Sequence, residues 1–227
     1  MSKGGLPAVG MLAVPMLAFF IDPLTAAALL LPIYLASDAY GIWLYRAEHS
    51  RRNLAILIPA GLAGIVIGYL ITPYLSVRIL NAIVGLIGLS FCLSRWVRPN
   101  TDRPAKHAAL PPGLFWGTLT GITSFVSHAG APPYQVYVLP QKLPKLVFAG
   151  TTTITFAVIN FAKLPPYLAL GLFPEFQPGP TAALIAAALF GAWTGARLTR
   201  VVPDWLFFRV VEAALFVMSI QLLIRAV

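Results

Sequence analysis

Apolar residues fall into long blocks along this chain, separated by short clusters of charge and proline, and these blocks set the helices it predicts. Gly4 to Ile21 is the first, interrupted by Pro7 and Pro15 and closed by Asp22 and Pro23. Leu24 to Tyr45 follows, with Asp38 as its only charge, and then a basic loop from Arg46 to Arg52. Asn53 to Ile71 and Ile79 to Ser94 are the third and fourth. Beyond the most polar segment, Arg95 to His107, lie a fifth block from Ala108 to Gln141 and a sixth from Leu146 to Ala162, stopped by Lys163-Leu164-Pro165-Pro166. Leu168 to Pro174 has room for one or two helical turns, and Pro180 to Ala196 and Val210 to Ile224 complete the set. Blocks of about 20 apolar residues match the hydrocarbon core of a bilayer.

The fifth block is too long for one straight span. As a single helix it would run roughly 51 Å at about 1.5 Å per residue, against about 30 Å of hydrocarbon. Gly130 followed by Pro132 and Pro133 supplies a break, since proline lacks a backbone donor and clashes with the preceding turn. Pro133 to Leu139 is then too short to cross. Broken helices are tolerated at membrane depth where protein or a water-filled cavity satisfies the freed backbone groups. The break is therefore the leading candidate site.

The two halves share an order of features. Gly64-x3-Gly68 in the third block recurs as Gly191-x3-Gly195 in the seventh, and each is followed by a proline (Pro73, Pro203), an arginine (Arg78, Arg209) and another apolar block. Glycines at this spacing let membrane helices approach closely. The expected fold is all-α and polytopic: about eight segments in two four-segment repeats, residues 1–98 and 111–227, joined by a polar cytoplasmic linker at 99–110. A broken or re-entrant helix is expected at the start of each half. With the fifth block entering and leaving on the cytoplasmic side, thirteen of the sixteen lysines and arginines fall inside, against ten if all eight blocks cross. The halves then run in opposite orientation, a recurring transporter plan.

Composition narrows the class. The chain is 59% hydrophobic and 10% charged, where a soluble domain carries about 25% charge. Its net charge of +9 sits at segment ends, so membrane topology explains it without nucleic acid. The lone Cys92 permits no internal disulfide or dithiol relay. Lys3 precedes an apolar run as in a signal peptide, but the apolar pattern continues, so the first block is expected to be retained.

Candidate chemistry gathers around the break. Helix N-termini expose unpaired donors that bind anions. Prolines suit the first turn of the helix that resumes at Pro132 and Pro133, and Ala129, Gly130 and Ala131 leave room for a ligand at the backbone. Gly150, Thr151, Thr152 and Thr153 add hydroxyls and a second close-approach glycine, and Asn160 lies on the same helix. The alternative is a packed kink with threonines bonded to their own helix. His128 is an anion ligand when protonated, or a neutral packing residue. Asp38, deep in the second block, is either a coupling site or a hydrogen-bonded structural acid. Lys163 is expected to snorkel to the interface, within reach of the break. The three histidines lie in different segments and no serine-nucleophile motif occurs, so neither a metal site, a cofactor nor an enzyme is expected.

Three stretches, HAGAPPYQVYVLPQKL, GTTTITFAVINFAKLPPYLALG and LPIYLASDAYGIWLYR, resemble the sulfite exporter TauE/SafE family of membrane permeases. The resemblance covers nearly the whole chain. It implies carriage of a small sulfur-containing anion, sulfite or an organosulfonate, across the bacterial inner membrane. The expected partners are that anion, a coupling proton or sodium ion, the lipid bilayer and a second copy of the chain. A carrier of a small carboxylate or other metabolite, and a non-transporting membrane assembly protein, stay open as alternatives.

Overall fold

Several helices begin or end outside their apolar blocks, where a cap or a charged residue supports another turn. A computed structural model describes residues 23–74, 76–97, 104–173 and 178–226. The first apolar block, part of the polar linker and the loop around Glu175 lie outside them. α1 is Pro23–Tyr45, α2 Arg51–Ile71 and α3 Val77–Val97. α2 starts at Arg51 because the Ser50 side chain accepts the Asn53 N–H, an N-cap. The fifth block divides into α4, Leu110–Ser127, and α5, Ala131–Val138. α6 is Lys145–Ala162. The short helix expected from Leu168 to Pro174 forms earlier, as α7, Leu164–Ala169. Pro165 and Pro166 occupy its first positions, where the missing N–H is no loss. α8 is Pro178–Val201 and α9 Asp204–Ile224, the latter with an acid in its first turn. Among the described residues the ordered elements are all helices, with no strand.

Among the described residues, four stretches are long and apolar enough to cross a bilayer: Leu24–Tyr45, Arg51–Ile71, Lys145–Ala169 and Asp204–Ile224, with Val77–Leu93 a shorter apolar helix. Large apolar side chains point outward, among them Trp43, Leu70, Ile79, Phe115 and Trp205. This is the surface of a multi-pass membrane protein, in which lipid replaces water around the bundle. Water then contributes little drive for helix association, and close packing and polar contacts must supply it. The crossing of α2 with α4 shows how. A Cβ on Gly64 would strike the Thr118 carbonyl, and one on Gly121 would strike the Gly61 carbonyl.

Helices from residues 23–97 pair with helices from residues 104–226. α1 lies antiparallel to α6, with Tyr45 and Glu48 beside Gly150 and Asp38 beside Asn160. α3 lies antiparallel to α9, with Gly88 beside Ser219 and Cys92 beside the Glu212 carbonyl. α1 also packs on α8, and α2 on α6.

The fifth block folds back on itself. The Tyr137 hydroxyl donates to the Ala109 carbonyl at 3.0 Å, and the Lys106 N–H donates to Pro140 at 3.0 Å. Both ends of the α4–α5 hairpin therefore lie together. A reciprocal amide pair between Asn53 and Gln141, at 2.8 and 3.1 Å, ties that end to α2. Arg52 donates to the Ala108 carbonyl at 2.7 Å, and Lys145 approaches Asp204 at 3.2 Å. One end of the bundle thus collects Arg52, Lys106, Lys142 and Lys145.

Candidate functional site

α4 ends because His128 turns left-handed, with φ 52°. Its N–H donates to the Ser124 carbonyl and that of Ala129 to Thr123, which caps the helix C-terminus. A non-glycine residue in this conformation costs about 1–2 kcal/mol, and strain of this kind persists where the side chain has a use. Gly130 follows, in a space where a Cβ would meet Phe156, Ser124 and the Thr120 carbonyl, each at 2.9 Å. Pro132 and Pro133 then open α5. Ala26, Ala27, Ala28 and Leu31 of α1 form a core with Phe125, Val126 and Ala129. The small alanines bring the break against α1.

Four polar side chains meet at this place, all buried. The Lys163 ammonium lies 3.0 Å from His128 Nδ1 and donates to Asn160 Oδ1 at 3.2 Å. Asn160 Nδ2 donates to Asp38 Oδ2 at 2.8 Å. His128 Nε2 lies 3.1 Å from the Ala27 carbonyl. A carbonyl only accepts, so Nε2 carries a proton. Nδ1 of the neutral ring is then the acceptor that a protonated lysine needs. Tyr34 meets the imidazole edge-on, with ring centroids 5.1 Å apart.

Lys163 departs from the expectation of snorkelling: its exposure is 0%. α7 resumes directly after it, with Tyr167 N–H bonded to the Lys163 carbonyl and the Tyr167 hydroxyl bonded to Phe125. That turn closes over the lysine and directs it inward. An ammonium in such a place is stabilised only by good geometry and satisfied hydrogen bonds.

The remaining expected residues divide into two groups. His128, Asn160 and Lys163 come together with Asp38. Gly150, Thr151 and Thr152 lie toward the basic end, in the packing between α6 and its neighbours. A Cβ on Gly150 would strike the Glu48 carbonyl. The Thr151 hydroxyl accepts the Ser50 N–H at 2.9 Å and donates to Val147 at 2.7 Å. Thr152 bonds to Phe148 at 2.7 Å and shares a hydrogen bond with the Tyr134 hydroxyl at 3.0 Å. Along α6, Thr151 stands about 18 Å from Lys163 at about 1.5 Å per residue. One small anion cannot touch both.

The helix-end donors are also fewer than the break suggests. Pro132 and Pro133 have no N–H, those of His128 and Ala129 are bonded within α4, and that of Tyr134 donates to Gly130. Among the described residues at the break, only the N–H groups of Gly130 and Ala131 are not paired with a carbonyl. Gln135 escapes sequence reasoning: it is fully buried on α5, and neither amide atom has a hydrogen-bond partner among the described residues. Its only signal is an amide deep inside the uncharged fifth block, whose other amide, Gln141, stands at the block's end.

No curated protein and no solved structure matches the chain. A family description does match, sulfite exporter TauE/SafE, over residues 3–222. That span includes the broken fifth block, both partners of each antiparallel pair and all four buried polar residues, and the chain belongs to the sulfite exporter TauE/SafE family of membrane permeases.

Proposed function

We propose that this permease is a secondary transporter that carries sulfite or an organosulfonate by alternating access, in the inner membrane of a bacterium. The observation that carries this reading is the buried Lys163 ammonium at the break between α4 and α5. Intramembrane charges mark substrate and ion pathways, and two contacts of this one, to His128 and Asn160, are to neutral groups that an arriving anion can replace. A sulfonate offers three oxygens, enough to take the ammonium, an Asn160 N–H and the Gly130 or Ala131 N–H together. Asp38, bonded to Asn160, is the proposed coupling site.

The pairing geometry supports two inverted repeats. If α1 and α6, and α3 and α9, are equivalent helices of the two halves, each equivalent pair runs antiparallel. An axis relating antiparallel helices lies across them, in the membrane plane, as in inverted-repeat carriers. The basic end would face the cytoplasm. Proteoliposomes containing only this protein should take up labelled sulfite or sulfoacetate, and Lys163→Gln should abolish the flux. Flux of neither anion in correctly inserted wild-type protein would refute the reading.

A further inference from the structure

Gln135 stands on α5 with its side chain fully buried, and neither Nε2 nor Oε1 has a hydrogen-bond partner among the described residues. Buried polar groups in folded proteins are almost always paired, so an amide open at both atoms calls for a partner from outside the chain. Its place on the helix says where that partner sits. Gln135 follows Ala131 by four residues, on the same face, and helical side chains lean toward the N-terminus. The amide is thus carried back over the turn that begins at the break, where the Gly130 and Ala131 N–H groups have no carbonyl partner. Ala131 packs with Met218 and Phe156, and a Cβ on Gly130 would also meet Phe156, at 2.9 Å. Phe156, Asn160 and Lys163 follow one another at i, i+4 and i+7, so they share one face of α6. The turn that Gln135 covers therefore fronts the side of α6 that carries the buried ammonium.

We propose that Gln135 is the specificity-determining residue of this permease and that the substrate is a hydroxyalkanesulfonate: its sulfonate is held at Lys163 and the break, and its hydroxyl, on a two-carbon spacer, by the Gln135 amide. This rests on the transport reading above and narrows its substrate. Nε2 only donates and Oε1 only accepts, so a single group completes both only if it can accept and donate. A hydroxyl does so with one atom. A carboxylate serves Nε2 alone and brings a second negative charge into a setting of Ala131, Met218 and Phe156, at a desolvation cost. An ammonium serves Oε1 alone. Sulfite has no second group, and bound at Lys163 it leaves the amide unpaired. Ala131 and Gln135 are separated by about one helical turn, roughly 5.4 Å, a span that two carbons with a hydrogen bond at each end cover.

The test is equilibrium binding to purified full-length protein, comparing 2-hydroxyethanesulfonate with propane-1-sulfonate, which carries a methyl in place of the hydroxyl. The wild type should bind the hydroxylated anion about tenfold or more tightly than its methyl counterpart. Gln135→Leu, close in size and free of the unpaired amide, should bring the two anions within about twofold of each other, chiefly by weakening the hydroxylated one. Should Gln135→Leu fail to insert, Gln135→Met carries the same test, since it keeps the length of the side chain and removes both polar atoms. Equal affinities in the wild type, or an undiminished preference in the Gln135 variant, overturn the proposal and leave anion transport standing. If neither sulfonate nor sulfite binds the wild type, the transport reading itself fails and the specificity proposal falls with it.

Discussion

Lys163 and Thr151 show how far residue type alone leads. Lysine at the end of an apolar block reads as a snorkelling charge because the side chain is long enough to leave the hydrocarbon. What reverses that reading is α7, which starts at the next residue and covers the lysine. No local pattern announces that fold-back. Three consecutive threonines read as a row of donors, yet those of Thr151 and Thr152 are spent on carbonyls one turn back. Such back-bonding is available to any helical threonine, so sequence cannot separate a ligand-binding hydroxyl from a self-satisfied one. Thr151→Val should consequently act on stability. Loss of the Ser50 contact should lower unfolding free energy by about 1 kcal/mol, read as a drop in thermal midpoint in detergent, with anion affinity within about twofold of wild type.

At the scale of elements the sequence is more informative. The fifth block's length and its Gly-Ala-Pro-Pro signal lead to a broken hairpin, and the structure returns α5 to the N-terminal end of α4. The Gly64-x3-Gly68 spacing leads to a close helix crossing, and Gly64 makes one with α4. Its partner Gly121 stands in a run of the same spacing, Gly113-x3-Gly117-x3-Gly121, but which helix faces which is a tertiary matter. Because a Cβ at Gly64 would meet backbone, which cannot rotate aside, Gly64→Val should cost about 1–3 kcal/mol through overpacking. Gly171, where a Cβ would meet nothing, is the control for space but not for backbone, since its φ is 63°. Thermal unfolding of the two detergent-solubilised variants, with Gly171→Asn chosen to tolerate the left-handed turn, should separate them. Equal midpoints would show that the α2–α4 crossing tolerates a side chain.

For the whole molecule, the lysine and arginine distribution and the hairpin lead to the same arrangement by independent routes. Charge counting requires Lys142 and Lys145 to share a side with the Arg46 to Arg52 loop, and Arg52 bonds beside the hairpin's two ends. Cysteines at Lys142 and Arg200, in a Cys92→Ala background, should be labelled only from the cytoplasm, and one at Leu170 only from outside. Labelling of position 200 from outside would restore eight simple crossings. The broken helix expected at the start of the first half falls in residues 1–22, outside the described ones.

The account stands on a buried side-chain cation, rather than hydroxyls or a helix end, holding the anion. Equilibrium binding of sulfoacetate to purified Lys163→Gln and Thr152→Val proteins tests this most directly. Lys163→Gln, which keeps length and polarity but not charge, is expected to lose about 100-fold or more in affinity, the scale of a lost buried charge–charge contact. Thr152→Val is expected to stay within about threefold of wild type, because its hydroxyl serves Phe148 and Tyr134. The opposite order, with Lys163→Gln binding normally and Thr152→Val losing the anion, would contradict the account.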